Sequence, residues 1–468
     1  MRRPCPRFAG RWLPLALSML AAGLSLPAPA MTLAELYPLA LEADPSLRAA
    51  RSAELAAQEK RPQARAALLP QLSLSAEQMH NALQFPERDS RYPSANQTLQ
   101  LRQSLLRPAQ WMAVEQAAHV AAEASAQRQA VERELLSRLS TAVFEHILAR
   151  EQIALAQSLE RTLEGQLNAA QRLFAEGSGV RTDIDEARAR LDAARVQVLQ
   201  AQLQRDNTLR QIERLTGLRA PAITALRSED PQEDPSRWPS LAQLMQSAED
   251  QQPTLRALEA RVAIARSEAS RVKAAYGPTV DLVSRLSSSR SENVLNPDSR
   301  YRLQQWGVQL NWPLYEGGAT ESAEREAVAR MAEAEQRLDA TRLDLQQKID
   351  EQYRFVQEGR QRIAAQRQAV VSAIQLTIST RRSFEAGNRT RQDILNAEQQ
   401  KMQAEQDLLQ ARLRYLAATV QLQLLAGPSP QAWLESLTPW FTDAGHQGAR
   451  AQTAAMSSPS SPAGTATP

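Results

Sequence analysis

The stretches FAEGSGVRTDIDEA (Phe174–Ala187) and FEAGNRTRQDILNA (Phe384–Ala397) are copies of one another. Matched without a gap, they pair Phe174 with Phe384, Gly177 with Gly387, Asp183 with Asp393 and Ile184 with Ile394. Each lies between a very long helical pattern and a shorter one. Glycine ends a helix readily because it tolerates positive φ. Thr182 or Asp183, and Gln392 or Asp393, can open the next helix by accepting from its free N–H groups. Each stretch therefore reads as the tip of an antiparallel helical hairpin. The aspartates read either as helix caps alone or as functional side chains at a tip.

The copying extends outward. Asp44-Pro45-Ser46-Leu47-Arg48-Ala49 matches Gln252-Pro253-Thr254-Leu255-Arg256-Ala257 at a shift of 208, and Pro70 matches Pro278 at the same shift. Both tips match at 210, as do Gly217 and Gly427. The chain is two tandem copies of roughly 210 residues, which governs every later assignment.

Inside each copy the order is the same. A short helix (about 32–43, then 239–250) leads to a proline suited to a helix's first turn. A helix of about 25 residues follows and stops before Pro70 or Pro278. The apolar period then changes from about 3.6 to 2. Leu72 and Leu74 alternate with Gln71, Ser73 and Ser75, and Leu99, Leu101 and Leu105 with Thr98, Gln100, Arg102 and Ser104. In the second copy Val280, Leu282 and Leu286 share one face, and Val308, Leu310, Trp312 and Leu314 another. The first repeat, 31–218, thus carries strands near 70–79 and 97–107 and a helical hairpin near 109–216. The second, 239–427, carries strands near 278–288 and 302–315 and a hairpin near 319–425. Long loops are expected at 80–95 and 289–301.

No proline interrupts the stretch from Ala109 to Phe174. A helix of about 65 residues would be roughly 100 Å long. Segment 219–238, with Pro221, Pro231 and Pro235, reads as a linker. The tail 428–468, rich in Pro, Ser, Ala and Thr, reads as largely disordered.

The first thirty residues read as a signal peptide: Arg2, Arg3, Arg7 and Arg11, an apolar run Leu13–Leu26, and Ala28-Pro29-Ala30 as a cleavage site. The chain's formal charge of +3 includes those four arginines, so the exported form carries about −1. The pI of 9.1 belongs to the precursor and is no nucleic-acid footprint. The single cysteine, Cys5, lies in the removed segment. Export without disulfide chemistry or a lipid anchor is expected. After the signal segment no apolar run is long enough for a transmembrane helix, so a membrane span would have to be a barrel.

Enzyme readings find no support in the residues. Gly177-Ser178-Gly179 lacks the lysine and the preceding strand of a phosphate loop. His80, His119, His146 and His446 are scattered, so no metal site is expected. Asp183, Asp185 and Glu186 do not make a calcium loop. Asn96-Gln97-Thr98 fits a glycosylation acceptor, which carries little meaning for a bacterial export. No cofactor is expected.

Alternating strands also fit a half-buried soluble sheet. Export, and the lack of any layer other than long helices, favour a barrel with Leu, Val and Trp facing lipid. Trp306, Trp312 and Tyr315 could then belong to an interfacial aromatic belt. Four strands cannot close a bacterial barrel, so the chain must oligomerise. Two chains give eight strands and three give twelve, and the residues do not choose between them. A periplasmic coiled-coil adaptor or scaffold without a pore is the alternative.

In this order, the motifs resemble the TolC family of outer-membrane efflux and type I secretion channels. The resemblance rests on Asp44-Pro45, Gln252-Pro253, Leu69-Pro70-Gln71, QSLLRPAQ (Gln103–Gln110), WPLYEGG (Trp312–Gly318) and the two tips, and covers about 32–427. It implies a mostly α chain with a small β part, assembled as a homotrimer. Twelve strands would form one outer-membrane barrel, embedded in outer-membrane lipid and continued by a periplasmic α-helical barrel. It implies docking to a periplasmic membrane-fusion adaptor and an inner-membrane transporter of ABC or RND type.

By match, Thr182, Asp183, Phe384 and Arg389 become candidates for a periplasmic gate, with Arg389 able to pair with Asp183. Asp393 becomes a luminal cation ring, and Gly177, Gly179, Gly387 and Thr390 mark the tips for adaptor docking. The family commonly has tyrosine where this chain has Phe384, and can have a second luminal acid where it has Asn396. A looser, less cation-selective closed state is expected. The cargo is not legible, although the missing anchor cysteine leans toward the secretion-capable branch.

Overall fold

The computed structural model describes residues 30–85, 88–227, 231, 239–291, 299–427 and 433–441. Residues 1–29, all but the last of the stretch expected to be a signal peptide, lie outside them. The first repeat contains α1 (Leu33–Ala43), α2 (Pro45–Gln58), α3 (Lys60–Ala66), β1 (Gln71–Phe85), β2 (Arg88–Leu106), α4 (Pro108–Ala175) and α5 (Arg181–Thr216). The second contains α6 (Leu241–Gln251), α7 (Pro253–Lys273), β3 (Thr279–Arg290), β4 (Arg300–Asn311), α8 (Ala319–Glu385) and α9 (Arg391–Ala426).

The long helices set the shape. With 68 residues in α4 and 67 in α8, each is about 100 Å long at 1.5 Å per residue. No single partner helix matches that length, so two shorter helices share each. Along α4, Glu54 of α2 meets Arg128 at 2.7 Å, and Glu160 meets Arg195 of α5 at 3.5 Å. Along α8, Glu335 meets Arg266 of α7 at 3.6 Å, and Arg381 meets Glu398 of α9 at 2.9 Å.

Where the short helices abut, the main apolar core forms. It gathers Leu36 and Tyr37 of α1, Leu135, Leu139 and Ile147 of α4, Ile349 of α8 and Leu416 and Leu422 of α9. At this level the repeats use different helix starts. Asp44 caps α2 by accepting from the Leu47 N–H at 2.9 Å. Gln252 makes no such cap; its Oε1 instead accepts from Arg133 at 2.6 Å, and Arg133 also donates to the Leu424 carbonyl at 2.8 Å.

The four strands form one antiparallel sheet in the order β1-β2-β3-β4. The β2–β3 pairing joins the repeats. Register puts Leu72, Leu74, Leu99, Leu101, Leu282, Leu286, Trp306, Val308 and Leu310 on one face, all of them exposed. The other face carries Gln71, Ser73, Thr98, Gln100, Arg102, Asp281, Arg285 and Gln309. A bulge between Ser104 and Leu106 interrupts the β2–β3 ladder just before its last pair, Leu106 with Val280. Beside it Asp281 accepts from Arg102 and, at 2.9 and 2.6 Å, from Arg107. The buried carboxylate of one repeat is thus held by two arginines of the other, at the point where sheet becomes helix.

Several expectations from sequence are corrected. Residues 80–85 and 88–95 are strand rather than loop, so β1 and β2 extend well beyond β3. Pro93 fits there because the β2–β3 ladder stops at Ala95, leaving Pro93 paired to β1 alone. The strand expected over 302–315 ends at Asn311, and much of the 289–301 loop lies outside the described residues. The 25-residue helix before Pro70 is two pieces that meet at Glu59.

The linker is partly packed. Met31 bridges Ile223, and Leu226 bridges Phe441. The tail is not wholly unstructured either: Leu434, Leu437, Trp440 and Phe441 are buried in the main core, with Trp440 5.4 Å from the Tyr415 ring. Residues 442–468 lie outside the described ones.

Candidate functional site at the hairpin tips

Both tips reverse the chain in a few residues, by different hydrogen bonds. In the first, Gly177 takes φ +76°. The N–H groups of Ser178 and Gly179 both donate to the Leu173 carbonyl, at 2.9 and 3.0 Å. This draws the backbone so close that a Cβ on Gly179 would lie 2.9 Å from the Phe174 nitrogen. In the second, Gly387 takes φ +79°, and the Asn388 N–H donates to the Ser383 carbonyl at 2.9 Å. The residue matching Gly179 is Arg389.

The returning helices also start differently. Val180 stands at the N-cap of α5 with no side-chain cap, so Thr182 and Asp183 sit inside the first turn rather than opening the helix. Both are exposed, and among the described residues the Asp183 carboxylate has no side-chain partner.

In the second tip Thr390, not Gln392 or Asp393, is the N-cap. It forms a capping box with Asp393. The Asp393 Oδ2 accepts from the Thr390 N–H and hydroxyl, each at 2.9 Å, and the Asp393 N–H donates back to the Thr390 hydroxyl at 3.2 Å. Arg389 lies 3.6 Å from the same carboxylate. These donors, led by the Thr390 backbone N–H and hydroxyl, hold the Asp393 carboxyl below the ordinary aspartate range. Arg391 stands 5.9 Å above the half-buried Phe384 ring.

Within one chain, then, Arg389 is partnered by Asp393, and Thr390 is tied into the helix start. Gly177 and Gly387 supply the two left-handed turns.

A contact between the hairpins was not legible in the sequence. Arg190 of α5 donates to the Gln392 Oε1 of α9 at 2.6 Å while also holding Glu186. Just beyond, Leu163, Leu191, Ala194 and Leu395 form a small second core. Only Leu191 and Leu395, spaced as buried helix positions after each tip, could have signalled it. Farther from the tips an open groove of about 1020 Å³ between α4, α5 and α9 is lined largely by amides, among them Gln197, Gln200, Gln204, Gln399 and Gln403.

The comparisons agree with this architecture. The outer membrane efflux protein family matches twice, at residues 36–218 and 244–428, once per repeat. The alkaline protease secretion protein AprF of Pseudomonas aeruginosa is 32% identical over 418 residues, covering 87% of this chain and 86% of that protein. The outer membrane protein TolC of Escherichia coli is 26% identical over 430 residues, covering 89% and 86%. The crystal structure of the Campylobacter jejuni CmeC outer membrane channel superposes with a TM-score of 0.73 at 15% identity, covering 96% of this chain and 97% of that one. A duplicated sheet-and-hairpin unit that matches one family in both halves admits a single assignment: the chain belongs to the outer membrane efflux protein family, the TolC-type channels that serve as exit ducts of efflux and secretion systems.

Proposed function

We propose that three copies of this chain form a twelve-stranded outer-membrane barrel continued by a helical duct into the periplasm, gated at the tips. The observation that carries the reading is the sheet. Its apolar face is exposed, and among the described residues β1 and β4 each pair on one side only. An open sheet cannot cross a membrane, because unpaired backbone groups in lipid cost several kcal/mol each. Closure between copies, β4 of one against β1 of the next, satisfies both edges. Three copies rather than two follow from family resemblance.

The gate reading has a physical basis in the contrast between the tips. Among the described residues Asp183 is exposed and its carboxylate has no side-chain partner, while Arg389 is 59% exposed and held at 3.6 Å. Each is therefore available to the other across neighbouring hairpins, with Thr182 and Phe384 beside them. Three Asp393 carboxylates would ring the lumen. A periplasmic adaptor would dock at the tips around Gly177, Gly179, Gly387 and Thr390 and connect the duct to an inner-membrane transporter of ABC or RND type. The likeness to AprF favours polypeptide cargo delivered in a type I system. The mature chain would carry no lipid anchor.

Single-channel conductance in a planar bilayer tests this. Wild type should give small, steady, cation-selective steps. Asp393→Asn should lose selectivity, whereas Thr390→Ala, which removes the cap but keeps the charge, should retain it. Arg389→Ala should raise closed-state conductance. Equal selectivity in all variants would remove Asp393 from the ring. A soluble elongated particle that never inserts would return the scaffold reading.

A further inference from the structure

The lipid-facing side of the sheet ends in arginines. Along β3 and β4 its rows are Val280–Leu310, Leu282–Val308, Ser284–Trp306, Leu286–Gln304, Ser288–Arg302 and Arg290–Arg300. The rows nearest the helices are apolar. Farther out, Arg290 stands directly opposite Arg300, with Arg302 two residues along on the same face, and all three are exposed. Like charges directly opposite each other destabilise a sheet. Among the described residues no acid partners any of the three. The reverse side of these rows carries Ser289 opposite Tyr301 and Ser287 opposite Leu303, so the charge is confined to one face.

The height of the cluster identifies what it meets. From Val280 to Arg290 the strand advances ten residues. At about 3.3 Å per residue and a tilt of about 40°, that is a rise of roughly 25 Å, the height of a bacterial barrel's apolar band. Exposed Trp312 and Tyr315 mark the band's helix-side end. The arginines therefore stand at the opposite interface, in the outer leaflet.

We propose that Arg290, Arg300 and Arg302 bind the phosphate groups of outer-leaflet lipids. A phosphate seated among them removes the like-charge repulsion, and guanidinium groups grip phosphate bidentately. Below them on the same face Leu286, Trp306, Leu282, Val308, Val280 and Leu310 accept the same molecule's acyl chains, which a free anion does not possess. This rests on reading the sheet as a membrane wall.

The test uses the assembled mature protein in phosphatidylcholine nanodiscs doped with bisphosphorylated lipid A. Retained lipid is counted by native mass spectrometry. Wild type should retain about tenfold more lipid A than the triple variant R290Q/R300Q/R302Q, and about tenfold more than of dephosphorylated lipid A. Equal retention in either comparison overturns the proposal. Displacement by millimolar inorganic phosphate would show a free-anion site and overturn the lipid assignment. The glutamines relieve repulsion, so the barrel should form; unchanged single-channel conductance checks it. Wild-type protein that yields no conducting barrel would defeat the membrane reading itself, a result distinct from loss of lipid binding alone.

Discussion

The two hairpin tips descend from one sequence pattern and solve the same reversal by opposite means. The first relies mainly on backbone: Gly179 lets two N–H groups converge on the Leu173 carbonyl, which also accepts from the Ser178 hydroxyl at 3.2 Å, and Thr182 and Asp183 take no part in the turn. The second relies on side chains: Thr390 and Asp393 cap α9 and Arg389 leans on the cap. The tip whose reversal does not use Asp183 can offer that carboxylate to a neighbour. The tip that folds by its side chains couples its order to the charge it presents.

Substitution at Gly179 should break this contrast most sharply. Gly179→Ala puts a Cβ 2.9 Å from backbone that cannot yield cheaply. A local loss of about 2–3 kcal/mol is expected, read as faster amide exchange at Ser178 and Gly179. The reverse change, Arg389→Gly, should leave exchange at the second tip within about twofold, because its turn has no matching close approach.

Gly387→Ala should cost about 1–2 kcal/mol, because open space surrounds the site and only the positive φ opposes a side chain. Thr390→Ala should cost about 1 kcal/mol in the first turn of α9, whereas Thr182→Ala should leave the first turn of α5 unchanged, since Thr182 is not a cap. Equal effects at the two threonines would erase the distinction.

Acid should loosen the second tip. The Asp393 carboxyl is depressed in the folded state, so its stabilisation is complete above the ordinary value of 3.8 and is lost as pH falls through the lower folded value. Amide exchange at Asp393, whose N–H donates to the Thr390 hydroxyl, should rise there. Arg190→Ala should lose little: an exposed contact to Gln392 contributes less than about 1 kcal/mol, and separation of the two hairpins by double electron–electron resonance would report it.

Much of this was legible. Strict alternation over Leu72–Leu74, Leu99–Leu101 and Val280–Leu286 marked the strands, and unbroken helical patterns marked α4 and α8. The sequence signal failed where no face is apolar. From Glu77 to Asn81 both sides of β1 are largely polar, so the pattern carries no period. Trp433, Leu434 and Leu437 were hidden by the composition of the tail around them.

The duplication, the order of elements and the chemistry of each tip residue follow from the amino-acid sequence alone, because periodicity and glycine placement are local properties. Three things were decided only in three dimensions: which side chains the caps consume, the meeting of Arg190 with Gln392, and the facing of Arg290 to Arg300. Arg190 and Gln392 are 202 residues apart and meet only through helix packing, the arginines face each other only because of the hairpin's register, and the cap depends on where the turn releases the chain into the helix.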